Sequence, residues 1–172
     1  GLANYMKANI GGELSVCISF DSRNNSPEFA QITANVLSAN GIKVHIFDKL
    51  HPIALMSYSV RAKKANAGIM ITASHNPKEY NGYKAYWSDG SQVTSPHDVN
   101  IIKEVEKITE VSQVLTGKNA ENITILDEKF DEKYLAAVLA TAINPDAVRD
   151  VADDLAVVYT PLHGAGRILV PE

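Results

Sequence analysis

The chain has 172 residues, 45% of them hydrophobic and 21% charged, with a formal net charge of -4. Such a length and composition allow one sizeable core, or one core plus a fragment of a second, and the acidic balance argues against coating nucleic acid through a basic face. The lone cysteine, Cys17, excludes an intrachain disulfide, and with no run long enough for a membrane span or a signal sequence a cytoplasmic enzyme or binding domain is expected.

Leu2, Tyr5 and Met6 are spaced amphipathically, so Gly1–Ala8 reads as the middle or end of a helix. Leu14–Phe20 has the composition of a buried strand and ends in the polar loop Asp21-Ser22-Arg23-Asn24-Asn25. Ser26 is placed to cap a helix with Pro27 at its first position, Phe29, Ile32, Val36 and Leu37 form its inner face, and Gly41 stops it. Ile42–Phe47 is a second strand. Ala54–Ala65 is a second helix with Leu55, Tyr58 and Ala62 on one side, and Ala67–Thr72 is a third strand. Strands and helices alternating in this way predict an α/β fold, a mixed and mostly parallel sheet covered by helices. Cys17 lies within an apolar run and reads as a buried structural thiol.

Farther on, Tyr83–Trp87 and Gln92–Thr94 flank an Asp89-Gly90 pair, which predicts a β-hairpin after the third strand. Ser95-Pro96 opens a helix with Val99, Ile102, Val105 and Ile108 facing inward. Val114–Glu121 reads as an exposed connection, and Glu128–Ile143 as a helix broken by Asn144-Pro145. Asn122-Ile123-Thr124 matches a glycosylation sequon by chance. Leu155–Tyr159 reads as a last strand entering Thr160-Pro161-Leu162-His163-Gly164-Ala165-Gly166, a turn that would ordinarily feed a helix. Both ends read as cut from something longer.

Ligands of such sheets bind beyond the carboxyl ends of the strands. Asp21-Ser22-Arg23 and Thr72-Ala73-Ser74-His75-Asn76-Pro77 both sit there and can share one crevice. Ser74 is placed as a nucleophile or phosphate carrier, or else as part of a capped turn. No Gly-x-Ser-x-Gly elbow surrounds it, and adjacent side chains diverge, so His75 is not automatically its base. Lys84, after the Asn81-Gly82 turn, is either a cation aimed at a phosphate on Ser74 or a solvated lysine. Arg23 either grips phosphate in a forked manner or pairs with Asp21. His163 lies in a glycine-rich turn that permits close ligand approach. No histidine pair has the spacing of a helix-borne zinc site.

The run from Thr72 to Pro77 with Tyr80-Asn81-Gly82-Tyr83-Lys84 resembles the phosphoserine loop of the α-D-phosphohexomutases. Ala85-Tyr86-Trp87, Gly90, Ser95-Pro96-His97-Asp98, Asp21-Ser22-Arg23 and Tyr159–Gly166 are similar to the phosphoglucomutase/phosphopentomutase branch. The resemblance implies a phosphosugar mutase working through a phosphoserine on Ser74 and a bisphosphate intermediate, moving phosphate between positions 1 and 6, or 1 and 5. It implies His75 and Lys84 as further catalytic residues and Arg23 and His163 as phosphate-binding residues. It also implies magnesium held partly by the phosphate on Ser74, and a sugar bisphosphate as activator. Residues 1–150 would be the phosphoserine domain and 151–172 the first strand and turn of the next.

The departures are specific. The family's early Gly-Thr-x-Gly-x-Arg segment, its Asp-x-Asp-x-Asp metal loop, its sugar-recognition loop and its C-terminal phosphate-binding domain are not among these residues, and His51-Pro52 stands where Thr-Pro is usual. The chain by itself is therefore expected to be inactive and to expose apolar surface through which it could self-associate. Two other readings remain open: a non-catalytic sugar-phosphate-binding or interaction domain, and a serine hydrolase using Ser74.

Overall fold

The computed structural model describes residues 1–172. Five strands form one sheet in the order β4-β3-β1-β2-β5. They are β1 (Ser15–Phe20), β2 (Lys43–Phe47), β3 (Ala67–Ile71), β4 (Tyr83–Trp87) and β5 (Ile123–Leu126). β1 runs parallel to both β2 and β3, and β2 parallel to β5, whereas β4 returns antiparallel to β3. The expected mixed, mostly parallel α/β architecture is what the chain adopts.

Period-two alternation divides the core between the two faces of the sheet. Val16, Ile18, Val44, Ile46, Ala67, Ile69 and Ile71 face one layer, which contains α1 (Leu2–Asn9), α2 (Ser26–Ala39) and α4 (His97–Glu106). Cys17, Phe47 and Met70 face the other, which contains α3 (Ile53–Lys63) and α5 (Glu128–Leu139). Central strands covered on both sides read as unbroken apolar runs, which is why β1 and β3 are legible as buried strands.

The helical faces differ from the expected ones. α2 turns Ala30, Ala34 and Leu37 inward and leaves Phe29 and Ile32 exposed. Two alanines one turn apart let the helix backbone approach the sheet closely, an approach the larger pair would prevent. α3 buries Leu55, Met56, Ser59 and Val60, with Ala62 in solvent. α4 rests on α1 through Ile101 and exposes Val99, Ile102 and Val105. Ser26 is the first residue of α2 and not its cap; Asn25 holds that position in the left-handed region, at φ 61°.

Other expectations are corrected at the edges. The hairpin after β4 shrinks to one bridge, Tyr86 with Gln92. β5 was not anticipated; it pairs with β2 and extends the sheet at the side opposite β4. α5 ends at Leu139, and Asn144-Pro145 introduces a short α6 (Asp146–Asp150). Leu155–Tyr159 is not a strand: Leu155, Val157, Val158 and Tyr159 are exposed and form no ladder with either sheet edge. A strand exists only through a partner's hydrogen bonds, and this segment has none. No helix is long and apolar enough to cross a membrane.

Candidate functional site

Because β1, β2 and β3 are parallel, their carboxyl ends open on the same side of the sheet, and a cleft of about 950 Å³ lies there. Asp21 and Ser22 enter it from the end of β1, Leu50 and Pro52 from the loop after β2, and Ser74 and His75 from the loop after β3. His163, Gly164 and Arg167 close its far wall.

Ser74 is exposed in this cleft with φ 62°, in the left-handed region. A side chain held there costs of order 1–2 kcal/mol, so the surroundings must enforce the conformation. Two contacts do so. The Ser74 amide donates to Thr72 Oγ1 at 3.0 Å, and the Ser74 carbonyl accepts from Arg23 Nη2 at 2.5 Å. Thr72 Oγ1 in turn donates to Asp21 Oδ2 at 2.6 Å, fastening the loop to the end of β1. Gly82 closes the base of the loop: its carbonyl accepts from the Thr72 amide, and a Cβ at Gly82 would lie 2.8 Å from the Thr72 oxygen. Asn81 laces the loop to the start of α2 by donating to Ser26 Oγ at 2.8 Å.

The Ser74 hydroxyl lies 3.4 Å from His75 Nδ1. That separation is at the outer limit of a hydrogen bond and does not make an activated pair. His163 lines the cleft as expected, and its carbonyl accepts from Ser22 Oγ. Lys84 does not line it. Edge strand β4 sets Lys84 opposite Met70, and the residue borders a second depression of about 600 Å³ shared with Gly1, Asp98 and Val105. Arg23, expected to face a phosphate, turns its guanidinium into the loop and is buried. Arg167 was missed by sequence reasoning, although it directly follows the glycine-rich turn; with Lys78 it supplies the lysine and arginine charge that borders the cleft alongside buried Arg23.

The cleft favours anions. Its one lining carboxylate, Asp21, is paired with Arg23 Nε at 3.0 Å and also accepts from Ser26 Oγ and Thr72 Oγ1. The same saturation bears on magnesium. No three His, Cys, Asp or Glu side chains converge anywhere in the chain, and Asp21 has its oxygens occupied, so the residues present do not fit a metal cage.

A family model described as phosphoglucomutase/phosphomannomutase, alpha/beta/alpha domain I, matches residues 1–112. Among curated relatives, a phosphoglucomutase of Staphylococcus epidermidis is 34% identical over 180 residues, which cover all of this chain and 31% of that protein. A probable phosphomannomutase of Haemophilus influenzae is 32% identical, covering 96% of this chain and 33% of that protein. The chain thus spans about a third of the length of these relatives. Among solved structures, a putative phosphomannomutase from Thermus thermophilus superposes with a TM-score of 0.68 at 28% identity, covering 81% of this chain and 29% of that one. The open form of a Paramecium phosphoglucomutase, parafusin, shares the fold, with a TM-score of 0.71 at 18% identity over 93% of this chain and 34% of its own. With residues 1–112 matching the domain that carries this crevice, the chain belongs to the phosphoglucomutase/phosphomannomutase family of α-D-phosphohexomutases.

Proposed function

We propose that this chain carries the phosphoryl-transfer serine of a phosphosugar mutase. The observation that supports this best is Ser74: a non-glycine residue braced in a left-handed conformation and presented at the carboxyl ends of parallel strands, in a cleft bordered by Lys78 and Arg167. In the active form Ser74 Oγ carries a phosphoryl group. The bond from phosphorus to Ser74 breaks as a bond to a sugar-phosphate hydroxyl forms, giving a bisphosphate. The hydroxyl proton passes to His75, which faces the same cleft. The bisphosphate then returns its other phosphate to Ser74, so phosphate moves between positions 1 and 6, or 1 and 5, of the sugar.

Cationic side chains at the cleft favour the charge spread over the transferring oxygens. Lys78, Arg167 and His163 are the groups so placed; Lys84, bordering the other depression, has no part in this reading. The chain's own contribution to magnesium is limited to the phosphate on Ser74. Residues 1–150 are read as the phosphoserine domain and residues 151–172 as the opening of the next, in a cytoplasmic protein whose substrate is a sugar phosphate activated by its bisphosphate. No nucleic-acid or membrane partner enters this reading.

Peptide mapping of the gene's full product should find phosphate on Ser74, and Ser74→Ala should abolish interconversion of glucose 1-phosphate and glucose 6-phosphate in the presence of glucose 1,6-bisphosphate. Full activity in that variant would sink the assignment. A second reading has its own support: with Asp21 saturated and no carboxylate cluster, the 172 residues alone are expected to bind sugar phosphate without turning it over. Turnover by the isolated chain would refute that reading.

A further inference from the structure

Arg23 has its side chain only 7% exposed. Nη1 donates to the carbonyls of Asn76 at 2.6 Å, Pro77 at 2.7 Å and Tyr80 at 3.2 Å, while Nη2 donates to that of Ser74. Nε is held by Asp21 Oδ2 at 3.0 Å, and the Arg23 amide by Asp21 Oδ1 at 3.1 Å. Four carbonyls of the serine loop therefore converge on one planar cation. Carbonyls turned inward need donors, because a buried acceptor without a partner is costly. A guanidinium offers five N–H groups in a fixed fork, and only the second hydrogen on Nη2 lacks a partner here.

We propose that Arg23 is a positioning residue: it clamps the loop 74–80 by its carbonyls, so holding Ser74 at the cleft, and does not itself grip the substrate's phosphate. The assignment rests on Ser74 being the phosphoryl carrier, as proposed above. The physical ground is competition. For Arg23 to fork onto a phosphate it would have to release carbonyls that have no other donor, and those carbonyls belong to the loop that presents the serine. Asp21 completes the device from the other side by orienting Nε and, through Thr72 Oγ1, bracing the Ser74 amide. A lysine would keep the charge but not the fork, so charge and geometry can be separated by substitution.

The test uses the gene's full product and the Arg23→Lys variant. Amide deuterium exchange in peptides spanning 74–82 should accelerate about tenfold or more in Arg23→Lys, the equivalent of about 1.4 kcal/mol of lost local protection. With glucose 1-phosphate, kcat should fall about 100-fold, the order expected when a reacting group is displaced by roughly 1 Å, while KM stays within about threefold. Unchanged exchange, or a KM raised more than about tenfold whatever kcat does, would overturn the proposal, since a phosphate ligand acts on binding. If the variant does not fold, the wild type decides. Its Arg23 Nε–Hε resonance should stay in place when glucose 1-phosphate is titrated in, and a saturable shift would make Arg23 a phosphate ligand. Absence of phosphate on wild-type Ser74 would remove the mutase reading and leave the exchange result standing.

Discussion

Asp131→Ala should be among the most destabilising single substitutions in the chain. His51 is fully buried, with Nδ1 2.9 Å from the Lys49 carbonyl and Nε2 3.0 Å from Asp131 Oδ2. Both ring nitrogens face oxygens, so the arrangement is satisfied with a hydrogen on each. Removing Asp131 strands the Nε2–H among Phe47 and Phe130, 4.7 Å and one ring farther away respectively in the same cluster. Breaking a buried pair by deleting one partner costs about 3–5 kcal/mol. Asp131 Oδ1 is itself buried without a donor, so its removal relieves part of that loss and the lower end, about 3 kcal/mol, is expected. For a chain of this size that corresponds to a Tm lower by about 6–12 °C. Asp131→Asn, which keeps an oxygen acceptor, should lose about 1–3 kcal/mol. Thermal and urea unfolding followed by circular dichroism at pH 7 measure both. A Tm for Asp131→Ala within about 2 °C of wild type would refute the pair as a structural tie. The tie matters to the cleft because the His51 amide donates to the Phe20 carbonyl, and Leu50 and Pro52 on either side line the wall facing Ser74.

Burial, with Lys63 and Lys43 nearby, lowers the His45 pKa below its ordinary 6.5, and His45 Nδ1 has no hydrogen-bond partner. The unfolded chain therefore takes up this proton first, so stability contributed by neutral His45 is present above pH 6.5 and lost as the pH falls toward the folded value. Urea midpoints measured from pH 7.5 down to about 5 should show a downward slope that His45→Gln flattens, and an equal slope in both proteins would contradict it. Burial pushes the Cys17 thiol up to about 11, against a smaller opposing effect of Ser59. Iodoacetamide at pH 8 should leave native Cys17 unlabelled and modify it fully in urea; labelling of the native chain at the unfolded rate would show the thiol is open. Gly82→Ala would push a Cβ to 2.8 Å from the Thr72 backbone oxygen, so the loop base must open. Faster deuterium exchange across 72–82 with little change in α5 is the expected signature, and unaltered exchange the contrary one.

How much of the fold was legible follows from where the burial pattern was unambiguous. β1 and β3 are covered on both faces, so their apolar runs have one reading. The helices were found, but their inner faces were misplaced because large apolar residues were assumed to point inward. In α2 the inward positions belong to Ala30 and Ala34, and in α4 only Ile101 is buried although Val99, Ile102 and Val105 are larger in sum. Hydropathy ranks side chains; it does not know how closely a backbone must approach a sheet. β5 was overlooked for the opposite reason. Thr124 and Ile125 are exposed and only Leu126 is fully buried, so the four residues carry too little apolar signal until β2 offers its edge. Leu155–Tyr159 has a strand's composition but lacks the partner that would make it one.

The site divides along a similar line. Ser74, His75 and His163 were legible because their place is fixed by topology: whatever follows a parallel strand faces the crevice. Lys84 and Arg23 were not, because their roles depend on direction. Lys84 follows the serine loop in sequence, yet the antiparallel return of β4 carries it to the border of the other depression. Arg23 sits at the mouth of the cleft, yet its Nη1 and Nη2 atoms point at carbonyls of the loop across from it. No spacing rule reveals that four carbonyls of one loop will turn inward. What makes them do so is the left-handed turn at Ser74, which rotates the backbone of the loop and would be unfavourable without donors to meet it. The strained serine and the buried arginine thus depend on each other: the conformation that exposes the hydroxyl also creates the acceptors that hold the cation, and the cation maintains the conformation.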